Sequence, residues 1–398
     1  MKTPLKMNGL LISALLALGA CGPTDGNNAS EDGPIDITDY DYTSDQVLED
    51  IVEEEGAVDY YATAEMAVDA KLTIKPGVVI EFEEESGFNI SNGTLVVEGT
   101  EDAGVIFRER TAGSGWLGVS IVADATQSIS NLTIEDAGVD KFLNNVAAAG
   151  LSFGRDTNPT RGSITNLTIT DSKGVGFFAG GGTTFDASGI TVQGSAEHAF
   201  ELESFAQLGM LAADTTATGN GQDIALVTDI NVQDESITIE LPEVPAHIES
   251  SIVLAEDNTL TINAGSELYF ATDEYLGIAG TIVIAGTAEA PVTLGAIDGM
   301  SGGWAGLWIY TREDNTISNA VIENGGGATL DFINAPANIV LGDGITQKGK
   351  VTISDTTISG SAGWGIYGQT IEADTEVVTE NVTYEGNALG DIALEPAE

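Results

Sequence analysis

Aromatic rings on an outward strand face can stack on sugars, and a base beside a uronate carboxylate can take its neighbouring proton. The chain offers a few residues for each. Arg108 and Arg110 lie two apart, so an extended strand would turn both to one side. Lys71, Lys75, Arg155, Arg161 and Arg312 are scattered. The positions 188 residues beyond the arginine pair hold Ala296 and Asp298, so a paired base is not repeated. The two histidines, His198 and His247, fall in contexts that predict turn or surface positions. With 62 Asp and Glu among 398 residues, carboxylate pairs able to flank a glycosidic bond arise by chance. No catalytic residue is assigned.

The charge is more decisive about partners. Lys and Arg number 13, the formal charge is −49, and nucleic acid is excluded for want of a basic surface. Anionic polysaccharides are disfavoured unless cations bridge. Oxygen-rich acidic loops suit Ca²⁺, so calcium stays an option, but no cofactor is required. The EF-hand loop and the glycine-rich nonapeptide repeat are missing, and Gly219–Asp223 is a single echo of the latter. Metal ligands are left unassigned.

The elements that would position these residues follow from an internal duplication. Leu72–Gly77 matches Leu260–Gly265, Gly115–Gly118 matches Gly303–Gly306, and Ile129–Asn131 matches Ile317–Asn319, each at an offset of 188. Each copy closes with Asp-Ile-Ala-Leu, at Asp223 and Asp391, but there the offset is only 168. A shorter pattern recurs at Asn131, Asn166, Gly189 and Asp214 in copy one, and at Asn319, Asp355 and Asn381 in copy two. One unit of about twenty residues is missing from copy two, as a stack of similar coils permits. Short runs such as Val78–Phe82, Thr94–Val97 and Leu307–Tyr310 alternate apolar and polar residues between Gly, Asn and Asp. The pattern predicts an all-β fold, a right-handed parallel β-helix made of two tandem copies of one multi-coil unit, with Asn at tight corners.

Aligning the copies sets Leu307 and Ile309 on Val119 and Ile121, facing the core. Trp308 and Tyr310 then face outward where copy one has Ser120 and Val122, and Tyr269 takes the outward place of Glu81. Tyr269, Trp308 and Tyr310 are the candidate ligand-binding residues. Trp116 and Trp304 recur in both copies and are expected in the fold, at a corner.

The run Leu72–Phe82, then Gly93–Thr100, then Gly115–Gly118 resembles bacterial secreted proteins with right-handed parallel β-helix repeats, which share the pectate-lyase-like fold. The likeness runs from about Tyr60 onward and implies a fold that hosts lyases, hydrolases, adhesins and spacers alike. At the other end, Lys2 and Lys6 precede an apolar run from Leu10, ending Leu18-Gly19-Ala20-Cys21. That run is too short to span a bilayer and reads as a signal peptide. It resembles the lipobox of bacterial lipoproteins, which implies that Cys21, the sole cysteine, is acylated. The absence of Asp after it, where Gly22 stands, favours the outer membrane in that family.

The resulting map is a lipoprotein signal peptide over 1–20, a lipidated N terminus and acidic tether over 21–59, copy one over 60–227 and copy two over 228–398. Ser44 to Glu55 is the place in the tether for a short capping helix. The leading expectation is a cell-surface, lipid-anchored, monomeric binding or adhesion module, with polysaccharide or a surface protein as partner and membrane contact through the anchor. The competing expectation is a polysaccharide lyase or glycoside hydrolase of the same fold.

Overall fold

A computed structural model describes residues 33–52, 54–142, 147–155, 157–228, 231–329, 335–343, 349–370 and 375–396. The chain winds as a three-sided parallel β-helix. One turn of copy one runs through Lys71–Ile74, Val79–Phe82 and Gly87–Ile90, and Thr94–Glu98 then lies in register on Lys71–Ile74. Copy two repeats this with Thr259–Asn263, Glu267–Phe270 and Tyr275–Ile278 before Thr281–Ala285 returns. We call these the first, second and third sides of each copy. Among the described residues every pairing between strands of the helix is parallel, and the inward residues of Thr259–Asn263, Leu260 and Ile262, are buried while their neighbours are partly open. One apolar core runs from Ile37 to Ile366 through both copies. Each fully buried Leu or Ile in it contributes roughly 1.5–3 kcal/mol.

The corners explain the short repeat. Asn131, Asn166 and Gly189 have φ of 47°, 53° and 64°, and each bends a ten-residue strand from the first side onto the second. The Asn131 amide donates to the Gly99 carbonyl at 2.9 Å, and that of Asn166 to Asn131 Oδ1 at 3.0 Å. In copy two, Asn319, Asp355 and Asn381 take the same left-handed conformation, with the Asn381 amide donating to Asp355 at 3.2 Å. Asn and Asp tolerate this conformation because a short polar side chain can bond locally. The tryptophans also behave alike. Trp116 stacks on Phe82 at 4.1 Å and gives its indole N–H to the Glu135 carbonyl at 2.7 Å. Trp304 stacks on Phe270 at 5.0 Å and bonds the Glu323 carbonyl at 2.8 Å.

The missing unit is one coil. Among the described residues, counted from the matched strands Glu65–Val68 and Ile252–Leu254, the third side has seven strands to Gln222–Val227 and six to Gly390–Pro396; Asn231–Gln233, which precedes Ile252–Leu254, is additional.

The two copies do not meet side to like side. Gln222–Val227, the last third-side strand of copy one, pairs with Ala246–Ile248, a second-side strand of copy two. A single thirteen-stranded sheet therefore crosses the joint, and copy two is turned by one side about the helix axis. Its own third side begins at Asn231–Gln233, beside the first side of copy one. There a 3-10 turn, Phe205–Met210, stands in place of a strand.

The acidic segment before residue 60 is a correction to the sequence map. Ile35–Asp36 pairs with Tyr60–Ala62, and Gln46–Leu48 pairs with Lys71–Ile74. Where a short helix was the expectation for Ser44–Glu55, the chain has this strand instead. Ile37, Tyr42 and Leu48 are buried in the core, and buried Asp59 accepts the amides of Ile51, Val52 and Val79. Apart from Asp59, the described acids of this segment lie at exposed positions, so average composition masks an ordinary alternating strand pattern. Residues 1–32, including Cys21, lie outside the described residues.

Candidate functional site

The strand Gly306–Ile309 turns Leu307 and Ile309 fully inward and leaves Trp308 and, just beyond it, Tyr310 half-buried on the outside. Their ring centroids are 4.3 Å apart at 39°, and Tyr275 of the preceding coil lies 5.9 Å from Trp308. The indole N–H of Trp308 donates to the Gly342 carbonyl at 2.7 Å, which fixes the ring's direction. Burial, then the neighbouring Tyr275 and Glu256, pushes the Tyr310 hydroxyl above its ordinary pKa, so it stays a neutral donor. Gly306 makes the strand's approach possible: at φ 125°, a Cβ there would come within 2.5 Å of the Ala337 carbonyl. In copy one the matching Ser120 and Val122 are buried outright, so that copy offers no such platform.

Tyr269 does not join this group. It sits on the second side of copy two, in the thirteen-stranded sheet, edge-on to His247 at 5.9 Å and donating to Glu267 at 3.0 Å. Burial and that hydrogen bond raise its pKa. Strand register places Glu201, Leu226, His247 and Tyr269 in one outward column across the joint. Burial lifts the Glu201 carboxyl above its usual range; the charge of His198 opposes this, while Glu197, Glu203 and Glu249 add to it. Burial, then the charge of His198, lowers the pKa of His247. His198 keeps a buried Nδ1 without a hydrogen-bond partner. Both histidines are partly exposed strand residues; of the expected alternatives, turn or surface, neither lies in a turn. Only the turned stacking of the copies brings them close, and neither local context nor the 188-residue offset signals it.

The arginine pair is tied down. Arg108 reaches Glu81 at 3.1 Å, and Arg110 reaches Glu83 at 3.5 Å while lying 3.7 Å over the Tyr61 ring. Each base is thus matched by a carboxylate on the adjacent strand, and the pairs are half-exposed ion pairs of small energetic weight. The Gly219–Asp223 echo is a turn closed on itself, Asp223 accepting the amides of Gly219 and Asn220. Among the described residues no three His, Cys, Asp or Glu side chains converge on a metal-sized site.

Two cavities adjoin each other, and the second lies where the copies meet. One of about 380 Å³ is lined by Arg161, Asp186, Thr184 and Met210 on the first side of copy one. The other, about 350 Å³, shares Thr184 and Met210 and adds Glu203, Val232, Asp234 and Glu235. Neither cavity was visible in the sequence, because their walls come from segments as far apart as Thr126 and Met210, or Gly181 and Glu235, that only the coiling brings together.

No family model matches the chain, and no curated protein matches it. A solved structure titled "Crystal structure of Agl-KA catalytic domain" is similar over 86% of this chain and 62% of its own length, with 13% identity and a TM-score of 0.34. The chain therefore spans less than two thirds of that structure, and a likeness this low carries no argument about site or activity.

Proposed function

We propose that the protein is an exported, lipid-anchored binding module of the cell envelope that holds a neutral polysaccharide against the face formed by Tyr275, Trp308 and Tyr310. The observation that carries this is the Trp308–Tyr310 pair, two adjacent rings held half-open on the outside of a rigid parallel sheet. Rings so placed offer a large apolar surface with polar tips, at little loss of side-chain freedom. The charge of −49 selects a neutral polymer over an anionic one. Cys21 is the proposed site of acylation and the outer membrane the proposed address.

The competing enzyme reading lacks a free base at the arginine pair, since Glu81 and Glu83 already occupy it. The test is retention on a panel of neutral and acidic polysaccharides, with and without Ca²⁺, followed by sizing of the polymer. Retention lost in Trp308→Ser and Tyr310→Ser supports binding at this face. Shortened polymer in the wild-type sample makes the protein an enzyme and defeats the proposal.

A further inference from the structure

The outward positions on the third side of copy two line up in register as Val232, Val253, Gly277, Trp308, Val340 and Tyr367. Apart from Gly277 this is an apolar column, and at Gly277 the gap is filled: a Cβ there would lie 3.2 Å from the ring of Tyr275. Its upper part is closed, Val340 and Tyr367 being buried with Ala328 and Ala335 packed around them. Its lower part is less covered: Trp308 and Val253 are partly exposed, Gly277 lies beneath the Tyr275 ring, and Val232 at the foot is 66% exposed. Val232 also lines the cavity of about 350 Å³ at the joint. The column and the cavity therefore share a wall residue and form one continuous track.

We infer that a linear neutral oligosaccharide lies along this track, stacked on Trp308 and Tyr275, with its far end in the joint cavity. The inference rests on the sugar-binding reading above and adds the second subsite and the ligand's direction, parallel to the helix axis. Strands repeat every ~4.8 Å, so the three steps from Trp308 to Val232 cover about 14 Å. The cavity presents the carboxylates of Glu203, Asp234 and Glu235 and the hydroxyls of Thr184 and Ser204, acceptors and donors suited to several sugar hydroxyls. Its carboxylates repel an anionic ligand. A peptide fits less well: from Ile252 to Thr370 every strand of this sheet is paired on both sides, so the main-chain edge along the track is confined to the three residues Asn231–Gln233 at its foot. Both copies must be present and turned as they are, because Thr184 and Ser204 belong to copy one and Val232 to Glu235 to copy two.

The test is calorimetry on the full-length protein, held in a detergent without a sugar headgroup, with linear glucan oligosaccharides from the disaccharide upward. Affinity is expected to rise with length until the ligand spans about 14 Å and then level off. Val232→Asp, a change at an exposed position, is expected to weaken the long ligands about tenfold and leave the disaccharide unchanged. Trp308→Ser is expected to weaken every length. If long ligands gain nothing over short ones, or Val232→Asp has no effect while Trp308→Ser still does, the joint subsite is wrong and the aromatic face stands. If no length binds, both fail. If a lysine-rich peptide binds in the cavity and no glucan does, the occupant is a basic protein segment and the inference is overturned.

Discussion

Trp304→Phe and Trp116→Phe are a matched pair of perturbations supplied by the duplication. Each indole is fully buried, stacked flat on a phenylalanine, and bonded through its N–H to a carbonyl 19 residues onward. Phenylalanine preserves the stack, removes the donor and leaves a small void. An orphaned buried carbonyl costs about 1–3 kcal/mol, and with the void the expected loss is about 2–4 kcal/mol for each variant. The core is continuous across the joint, so both variants should lower one shared unfolding transition by a similar amount. In urea, followed by far-ultraviolet circular dichroism, a slope near 3 kcal/mol/M makes this a midpoint shift of about 1 M. Trp304 stands two residues before Gly306–Ile309, so its variant should also loosen the strand that carries Trp308, and ligand affinity should fall less than in Trp308→Ser. Two separate transitions, each moved by one variant alone, would show that the copies unfold independently and refute the continuous-core argument.

Acidification should weaken the joint. His247 is held neutral in the fold, its pKa lowered by burial and then by His198, so the unfolded chain takes up its proton first as the pH falls through about 6.5. Stability is therefore expected to fall across that window, and His247→Gln to flatten the fall; Glu201, raised in the fold, acts in the opposite direction at lower pH. An unchanged pH profile in His247→Gln would count against the joint as the sensitive region. Grafting the aromatic pair onto copy one as Ser120→Trp with Val122→Tyr should yield no second binding site. Those positions are 0% and 5% exposed, so overpacking is expected to cost about 1–3 kcal/mol or more, read as a lowered melting midpoint. A stable graft with doubled ligand stoichiometry would contradict this.

Much of the fold was legible because a coil is a local object. The recurring Asn131, Asn166, Asn319 and Asn381 mark corners whose positive φ few other residues accept, and the 20-residue shortfall in copy two marks one absent coil. The inward Leu307 and Ile309 followed from aligning the copies, which sets them on Val119 and Ile121. Composition misled where it averaged over two faces: Ile35, Ile37, Tyr42 and Leu48 build a coil inside a segment whose outward positions are acidic. The grouping of Tyr269 with Trp308 failed for a different reason. Strand alternation tells inside from outside, but says nothing about which of three outer sides a residue occupies.

The turn by one side at the joint separates two meanings of equivalence in this molecule. Residues 188 apart share corner, core and stacking geometry, because those depend on the coil in which they sit. They do not share neighbours outside the helix. The third side of copy one runs on into the second side of copy two, which gathers His198, Glu201, His247 and Tyr269. The third side of copy two instead starts beside the Phe205–Met210 turn, which opens the cavity at the foot of the aromatic column. Duplication thus supplied two copies of one scaffold, and the slip in phase gave them different surroundings. A site that depends on both copies belongs at the joint, because there residues of the two copies line one cavity.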